Sequence, residues 1–403
     1  MNAAAEPVAV AGANGHAIRV ELLGPVIAHR APSMLRYGDE LQDALAGEPG
    51  IEVTRELVPD AAPRVRQQSK LSLAVRRVRE LGTPLLPPPR RSGASQADLF
   101  HIIDSVDAHL LRGFPRERTL ITCHDVFALL DQAEPQGAGV RGRVERWRRG
   151  TWRDQLSTAG HIVCVSETTR ADVLRTLDID EARVSVVANG VRPIFHRLPA
   201  KAVQAVRSQL PGTYLMMHVA SGWQPRKNFE GTIRVLQELR NRQLDVKLVR
   251  AGVPLPASAA AEADRLGMSA HIIERGRVSD QELVELYNAS DVFLFPSFYE
   301  GFGWPPVEAM ACGTPVVTST APALTELIAD AGIAAPAADV PALAGAVASV
   351  LTDRTRRDQL IERGLDRAAQ FSWQRTAQDL GALYRQRLTA LNGSTSASAL
   401  GHD

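Results

Sequence analysis

Several things are scarce in these 403 residues, and each scarcity narrows the function. Cysteine occurs three times, at Cys123, Cys164 and Cys312, with no paired spacing. An odd number of isolated cysteines, each in or beside an apolar run, points to buried reduced thiols and not to a disulfide framework. No apolar stretch approaches the ~18 residues needed to cross a bilayer. Charge of one sign is not in excess, with net charge +1, so nothing in the overall balance calls for a nucleic-acid partner. No His/Cys group has zinc spacing, and neither a G-x-S-x-G elbow nor a Walker sequence occurs. Gly12-Ala-Asn-Gly15 precedes the first strand candidate and so cannot be a dinucleotide loop. Met1–Ala17 has no basic leader, and residues 1–17 and 392–403 read as disordered tails. A cytoplasmic protein is expected.

What is present is a hydrophobic content of 45% with 23% charged residues, ordinary for a globular chain. The length suits two domains of about 180 residues. Short β-rich runs alternate with helical patterns, which predicts α/β architecture with parallel sheets. Strand candidates in the first half are Arg19–Leu23, Ile51–Leu57, Leu99–Ile103, Thr119–Cys123, His161–Val165 and Arg183–Val187. Those in the second half are Tyr214–Val219, Val246–Val249, His271–Ile273, Val292–Phe295 and Pro315–Thr318. Two doubly wound, Rossmann-like domains are expected, residues 18–198 and 199–375. In open α/β sheets ligands bind beyond the carboxyl ends of strands, so the residues after each strand carry the search.

Three such segments stand out. After Phe295, the run Glu300-Gly-Phe-Gly-Trp-Pro-Pro-Val-Glu308 cannot continue a strand. Gly301 and Gly303 allow a tight turn, and Pro305 and Pro306 suit a helix start. A strand–turn–helix of this kind favours a phosphate, with Glu300 in the turn and Glu308 expected in the first helical turn as acceptors for sugar hydroxyls. The alternative is that Glu308 merely complements the helix dipole while Glu300 is solvated. After Val219, the turn ending Pro225-Arg226-Lys227-Asn228 puts two cations where a helix begins. Cations oppose the dipole there, a hint of an anion between them. After Cys123 come His124 and Asp125, with Asp125 expected either to orient His124 or to cap the next helix.

Together these segments resemble the retaining glycosyltransferases of family 4, which have the two-domain GT-B architecture, from about residue 18 to residue 390. The most specific element is the Glu300/Glu308 pair within Phe295–Val316. Gly222–Asn228, Thr122–Asp125, Val165–Thr168, Asn189–Val191 and Gly276–Asp280 support it. The likeness is strongest to bacterial mannosyltransferases of exopolysaccharide assembly, which makes GDP-mannose the favoured donor. The resemblance implies two Rossmann-like domains facing across a cleft, a closing helix over 376–391 that crosses back to the first, and a nucleotide-sugar as substrate with no cofactor or metal required. It implies that Arg226 and Lys227 hold the diphosphate. Glu308 would bind the ribose and Glu300 the transferred sugar, whose phosphate the Phe302 and Gly303 amides would approach. Arg277 and Val278 would lie near the nucleobase, and His124 would approach the sugar. His124, Glu300 and Lys227 are thus the expected catalytic residues. One departure is the first βα loop, where only Gly24 remains of a segment that is glycine-rich in the family.

The expected acceptor is a glycan or a lipid-linked sugar. Arginines crowd Arg141–Arg153, and a second basic cluster covers Arg64, Arg66, Lys70, Arg76, Arg77 and Arg79. An amphipathic helix with Val144, Trp147 and Trp152 would give peripheral contact with anionic membrane, at the inner face of the plasma membrane. Other readings are a GT-B nucleotide-sugar epimerase and a non-catalytic nucleotide-sugar-binding subunit. Nucleic-acid binding is not expected, since few aromatics interleave with the arginines.

Overall fold

The computed structural model describes residues 16–24, 32–56, 96–130, 140–220, 222 and 224–399. The 1–17 tail up to residue 15, the second basic cluster and residues 25–31 after Gly24 lie outside them. The chain divides into two units, Met1–Ala188 with Trp373–Asp403, and Asn189–Ser372.

In the first unit the elements are β1 (Ile18–Leu23), α1 (Pro32–Ala46), β2 (Ile51–Glu56), β3 (Leu99–Ile102), β4 (Thr119–Cys123), α2 (Val140–Ser157), β5 (His161–Cys164), α3 (Glu167–Thr176) and β6 (Val184–Val186). Its sheet has the order β2-β1-β3-β4-β5-β6, with every pair parallel. β3, β4 and β5 are buried at every position, as strands covered on both faces must be. The order reverses between β1 and β3, so the carboxyl ends there form the natural binding edge.

The second unit contains α4 (Ala200–Arg207), β7 (Tyr214–Ala220), α5 (Phe229–Asn241), β8 (Val246–Gly252), α6 (Ala257–Arg265), β9 (Ile272–Gly276), α7 (Asp280–Ala289), β10 (Val292–Phe295), α8 (Trp304–Ala311), β11 (Val316–Ser319), α9 (Pro322–Ile328), β12 (Ile333–Ala335), α10 (Val340–Thr352) and α11 (Arg354–Ala368). Its sheet order is β12-β11-β10-β7-β8-β9, all parallel. This is the dinucleotide-fold order, and it reverses between β7 and β10. Arg226-Lys227 and Glu300 follow those two strands.

Two boundaries differ from the sequence expectation. The units part after Ala188, not after residue 198, because residues 191–198 are bound to the second unit. Val191 N donates to Phe371 O, and Leu198 N to Asn288 Oδ1. The closing helix α12 (Trp373–Ala399) starts at Trp373 and continues past Asn392, where a disordered tail was expected. It groups with the first unit, where Thr376 Oγ1 donates to Ala188 O and Arg385 pairs with Glu48.

Candidate active site

The site is best built from Asn228, which the sequence placed at the end of the Pro225–Asn228 turn without giving it a role. It sits in the left-handed region (φ 56°, ψ 51°), a conformation that asparagine tolerates better than most residues. Its Oδ1 accepts from Gly231 N at 3.2 Å and caps α5. Its Nδ2 donates to Pro296 O at 3.0 Å and to Ala337 O at 2.8 Å. One buried amide thus ties together the segments that follow β7, β10 and β12. Arg226 and Lys227, just before it, are delivered to a fixed place.

Those cations meet Glu300. Lys227 Nζ lies 2.7 Å from Glu300 Oε1, and Arg226 Nη1 lies 3.4 Å from Oε2. Arg226 Nη1 also donates to Tyr299 O at 2.9 Å, and Phe298 N returns a bond to Arg226 O at 2.7 Å. Only 8% of the Glu300 side chain is exposed, against 15% for Arg226 and 12% for Lys227. A solvated Glu300 is therefore corrected to a buried acceptor between two cations. The cluster keeps one net positive charge in a poorly hydrated setting, where charge acts more strongly than at an open surface. The Phe298 side chain, 50% exposed, projects from this pinned loop.

Phe302 is buried, edge-on to Phe371 at 5.7 Å. Gly303 caps α8 with φ 112°. A Cβ there would come within 2.9 Å of Leu324 Cδ2, so both the backbone conformation and the space demand glycine. α8 starts at Trp304, so Glu308 is its fifth residue and belongs to the second turn, not the first. That removes the simple dipole role, which fades beyond the first turn. Pro305 and Pro306 also lack two of the N–H groups a helix start normally offers. This helix start therefore offers fewer backbone donors than most, and those nearest the turn are the amides of Gly303 and Trp304. Glu308 Oε2 accepts instead from Tyr287 OH at 3.0 Å, a partner contributed by α7. Burial, with Glu308 nearby, pushes the Tyr287 hydroxyl well above its ordinary pKa, so it stays a donor.

Arg277 and Val278 follow β9, the edge strand of the same sheet, with Arg277 exposed and Val278 half-buried. They share the carboxyl edge with the cluster at a remove of two strands from β7.

His124 lies in the first unit, after β4. Its Nε2 meets Ile103 O at 3.0 Å, and its ring stands edge-on to Tyr37. Burial pulls its pKa down to about 4, so the ring is neutral near pH 7. Since a carbonyl only accepts, the ring proton sits on Nε2. Asp125 Oδ1 accepts from Phe127 N at 3.1 Å and so caps the turn that follows His124. Gly24 has φ 97° at the end of β1. The three cysteines are buried and free. Among the described residues no group of three or more His, Cys, Asp or Glu is placed to hold a metal ion. None of the described helices is long and apolar enough to cross a membrane.

On α2, Arg143, Arg146 and Arg153 are exposed and Trp147 is 46% exposed. Trp152 is different from what the helical pattern suggested: its Nε1 donates to Ser105 O at 2.6 Å, so it anchors α2 to the protein.

Comparison with known proteins agrees with this layout. Residues 36–194 match the model for Glycosyltransferase Family 4, and residues 204–367 that for Glycosyl transferases group 1. The O-antigen chain mannosyltransferase B of Escherichia coli is 30% identical over 280 residues, covering 66% of this chain and 70% of that enzyme. The D-inositol 3-phosphate glycosyltransferase of Stackebrandtia nassauensis is 31% identical, with 60% of this chain and 57% of that protein covered. The serotype-specific mannosyltransferase WbdA of Escherichia coli is 28% identical over 64% of this chain, but the match spans only 32% of WbdA. Among solved structures, the sucrose-phosphate synthase of Thermosynechococcus elongatus superposes with a TM-score of 0.69 at 20% identity, covering 93% of this chain and all of that one. Anabaena Alr3699/HepE in complex with UDP and glucose gives 0.64 at 17% identity, with 91% and 99% covered. The chain therefore belongs to the family 4, group 1 glycosyltransferases, and it is a glycosyltransferase of the GT-B type.

Proposed function

We propose that this enzyme transfers a hexosyl unit, mannose first among the candidates, from a nucleoside-diphosphate sugar to a glycan or lipid-linked sugar, with retention of configuration and no metal. The observation that carries this reading is the Arg226–Glu300–Lys227 cluster at the β7/β10 switch point. The bond between the anomeric carbon and the diphosphate oxygen breaks, and its electron pair leaves with the diphosphate. Lys227 and Arg226 stabilise that developing charge, aided by the Phe302 and Gly303 amides. The acceptor hydroxyl bonds to the anomeric carbon on the face the diphosphate leaves, and its proton passes to a phosphate oxygen. Glu300 engages hydroxyls of the transferred sugar, with His124 contacting the same sugar. Glu308, oriented by Tyr287, takes the ribose hydroxyls, and Arg277 with Val278 flanks the base.

GDP-mannose is favoured because two of the relatives are mannosyltransferases by name, and the same relatives suggest a polysaccharide acceptor. The exposed arginines of α2 and Trp147 suit anionic lipid, and so peripheral contact at the inner face of the plasma membrane. Cosedimentation with phosphatidylglycerol vesicles, lost in Trp147→Ala, would support it; equal binding to neutral vesicles would end it. The transfer itself is tested by incubation with GDP-, UDP- and ADP-sugars. Release of the nucleoside diphosphate should single out one donor, and the anomeric proton signal of the product should show the donor's configuration. An epimerised nucleotide-sugar formed without acceptor, or no turnover of any donor, would refute it.

A further inference from the structure

The interior of the first unit holds a line of hydrogen-bonded side chains that the reaction above does not use. Tyr384 of α12 meets His101 Nδ1 at 2.6 Å. His101 Nε2 meets Thr122 Oγ1 at 2.8 Å, and Thr122 Oγ1 meets Tyr37 OH at 3.1 Å. All four side chains are buried. The Tyr37 ring then stands across the His124 ring, with centroids 4.7 Å apart and planes at 88°. Trp373, the first residue of α12, packs on the other partner of that contact, its ring 5.6 Å from Tyr37. So α12 holds Tyr37 twice: directly through Trp373, and through Tyr384, His101 and Thr122.

A core position needs only volume, and apolar side chains would fill this one more cheaply. Four buried polar side chains in series each demand a partner, so the line tolerates one arrangement and punishes others. A neutral imidazole has one N–H and one lone pair, so His101 can bond both Tyr384 and Thr122 only if the chain runs in a single direction. Burial keeps His101 neutral, its pKa drawn down to about 3. His124 Nε2 is bonded to Ile103 O, and the Tyr37 ring, perpendicular to the imidazole at 4.7 Å, limits how that ring can turn.

We propose that Tyr37 is a positioning residue for His124, held in register by the closing helix α12 through Trp373 and the Tyr384–His101–Thr122 line. The proposal rests on the reading that His124 touches the transferred sugar. Its test uses the full chain with GDP-mannose as the probe, alongside imidazole 15N spectra of the protein without donor. Tyr37→Leu should lower kcat by on the order of tenfold or more while donor KM moves little, since the group lost is misplaced and not absent. In the same variant the His124 15N pair should lose the pattern of a single Nε2–H tautomer. Tyr37→Phe, which keeps the ring against His124 but cuts its bond to Thr122, should lower kcat by about threefold and no more. Tyr384→Phe, a one-hydroxyl change that spares the fold, should lower kcat by about threefold with donor KM unchanged. Wild-type kcat and an unaltered His124 spectrum in Tyr37→Leu, whatever happens to its stability, would overturn the role. A wild-type rate in Tyr384→Phe would overturn the link to α12. His124→Ala separates the two levels: if it turns over normally, the reading of His124 falls, whereas a slow His124→Ala beside a normal Tyr37→Leu sinks only the positioning role.

Discussion

Replacing Asn228 by alanine should damage the second unit more than any surface substitution, and the loss can be worked out bond by bond. Two buried carbonyls, Pro296 O and Ala337 O, lose the amide that bonds them at 3.0 and 2.8 Å. Each costs about 1 kcal/mol. The α5 cap on Gly231 N goes too, at about 1 kcal/mol. Alanine must then hold φ 56°, ψ 51°, which adds about 1 kcal/mol. The expected destabilisation is about 4 kcal/mol, or a fall in Tm of about 8–16 °C for a unit of this length. Asn228→Gly accepts the left-handed backbone and should recover about 1 kcal/mol of it. Urea unfolding of the three proteins measures these differences. A cost below about 1 kcal/mol in Asn228→Ala would refute the idea that one amide fixes three loops around the cations.

Gly303→Ala forces a methyl towards Leu324 Cδ2 at 2.9 Å in a backbone with φ 112°, and should cost about 2–4 kcal/mol. Donor binding, followed by calorimetry, should vanish before the fold does. Tyr287→Phe removes the donor to Glu308 Oε2, and affinity for GDP should fall about three- to tenfold with the fold kept. Acid should weaken the first unit. His109, His124 and His161 are held down to about 4 and His101 to about 3 by burial, against about 6.5 in the unfolded chain. The unfolded chain takes up these protons first. Stability is therefore full above pH 6.5 and is lost as pH falls from there towards 4, at up to about 1.4 kcal/mol per pH unit for each histidine. Urea midpoints that stay flat between pH 6.5 and 4.5 would contradict it.

Much of this was legible because strands buried on both faces leave unmistakable apolar runs. Thr119–Cys123 and Val292–Phe295 are strands over the residues their sequences marked. β12 was not legible: Ile333–Ala335 is three residues long, ends in two alanines and takes its register from β11 alone. The cations and carboxylates of the site could be read because each follows a strand and charge is conspicuous there. Their arrangement could not. The partners of Asn228 lie 68 and 109 residues away, and the donor to Glu308 comes from a helix whose sequence gives no sign of it. Trp152 looked like a membrane-facing residue from its spacing, yet a backbone carbonyl 47 residues away claims its N–H. The line from Tyr384 to Tyr37 spans the whole length of the first unit's sequence, so no local pattern encodes it.

The central claim is that Lys227, paired with Glu300 at 2.7 Å, stabilises a departing diphosphate. Lys227→Ala tests it most directly, with nucleoside-diphosphate release from the donor that the wild type turns over as the assay. The rate should fall on the order of a hundredfold or more, with circular dichroism showing an intact fold. Turnover at the wild-type rate in a folded Lys227→Ala protein would contradict it.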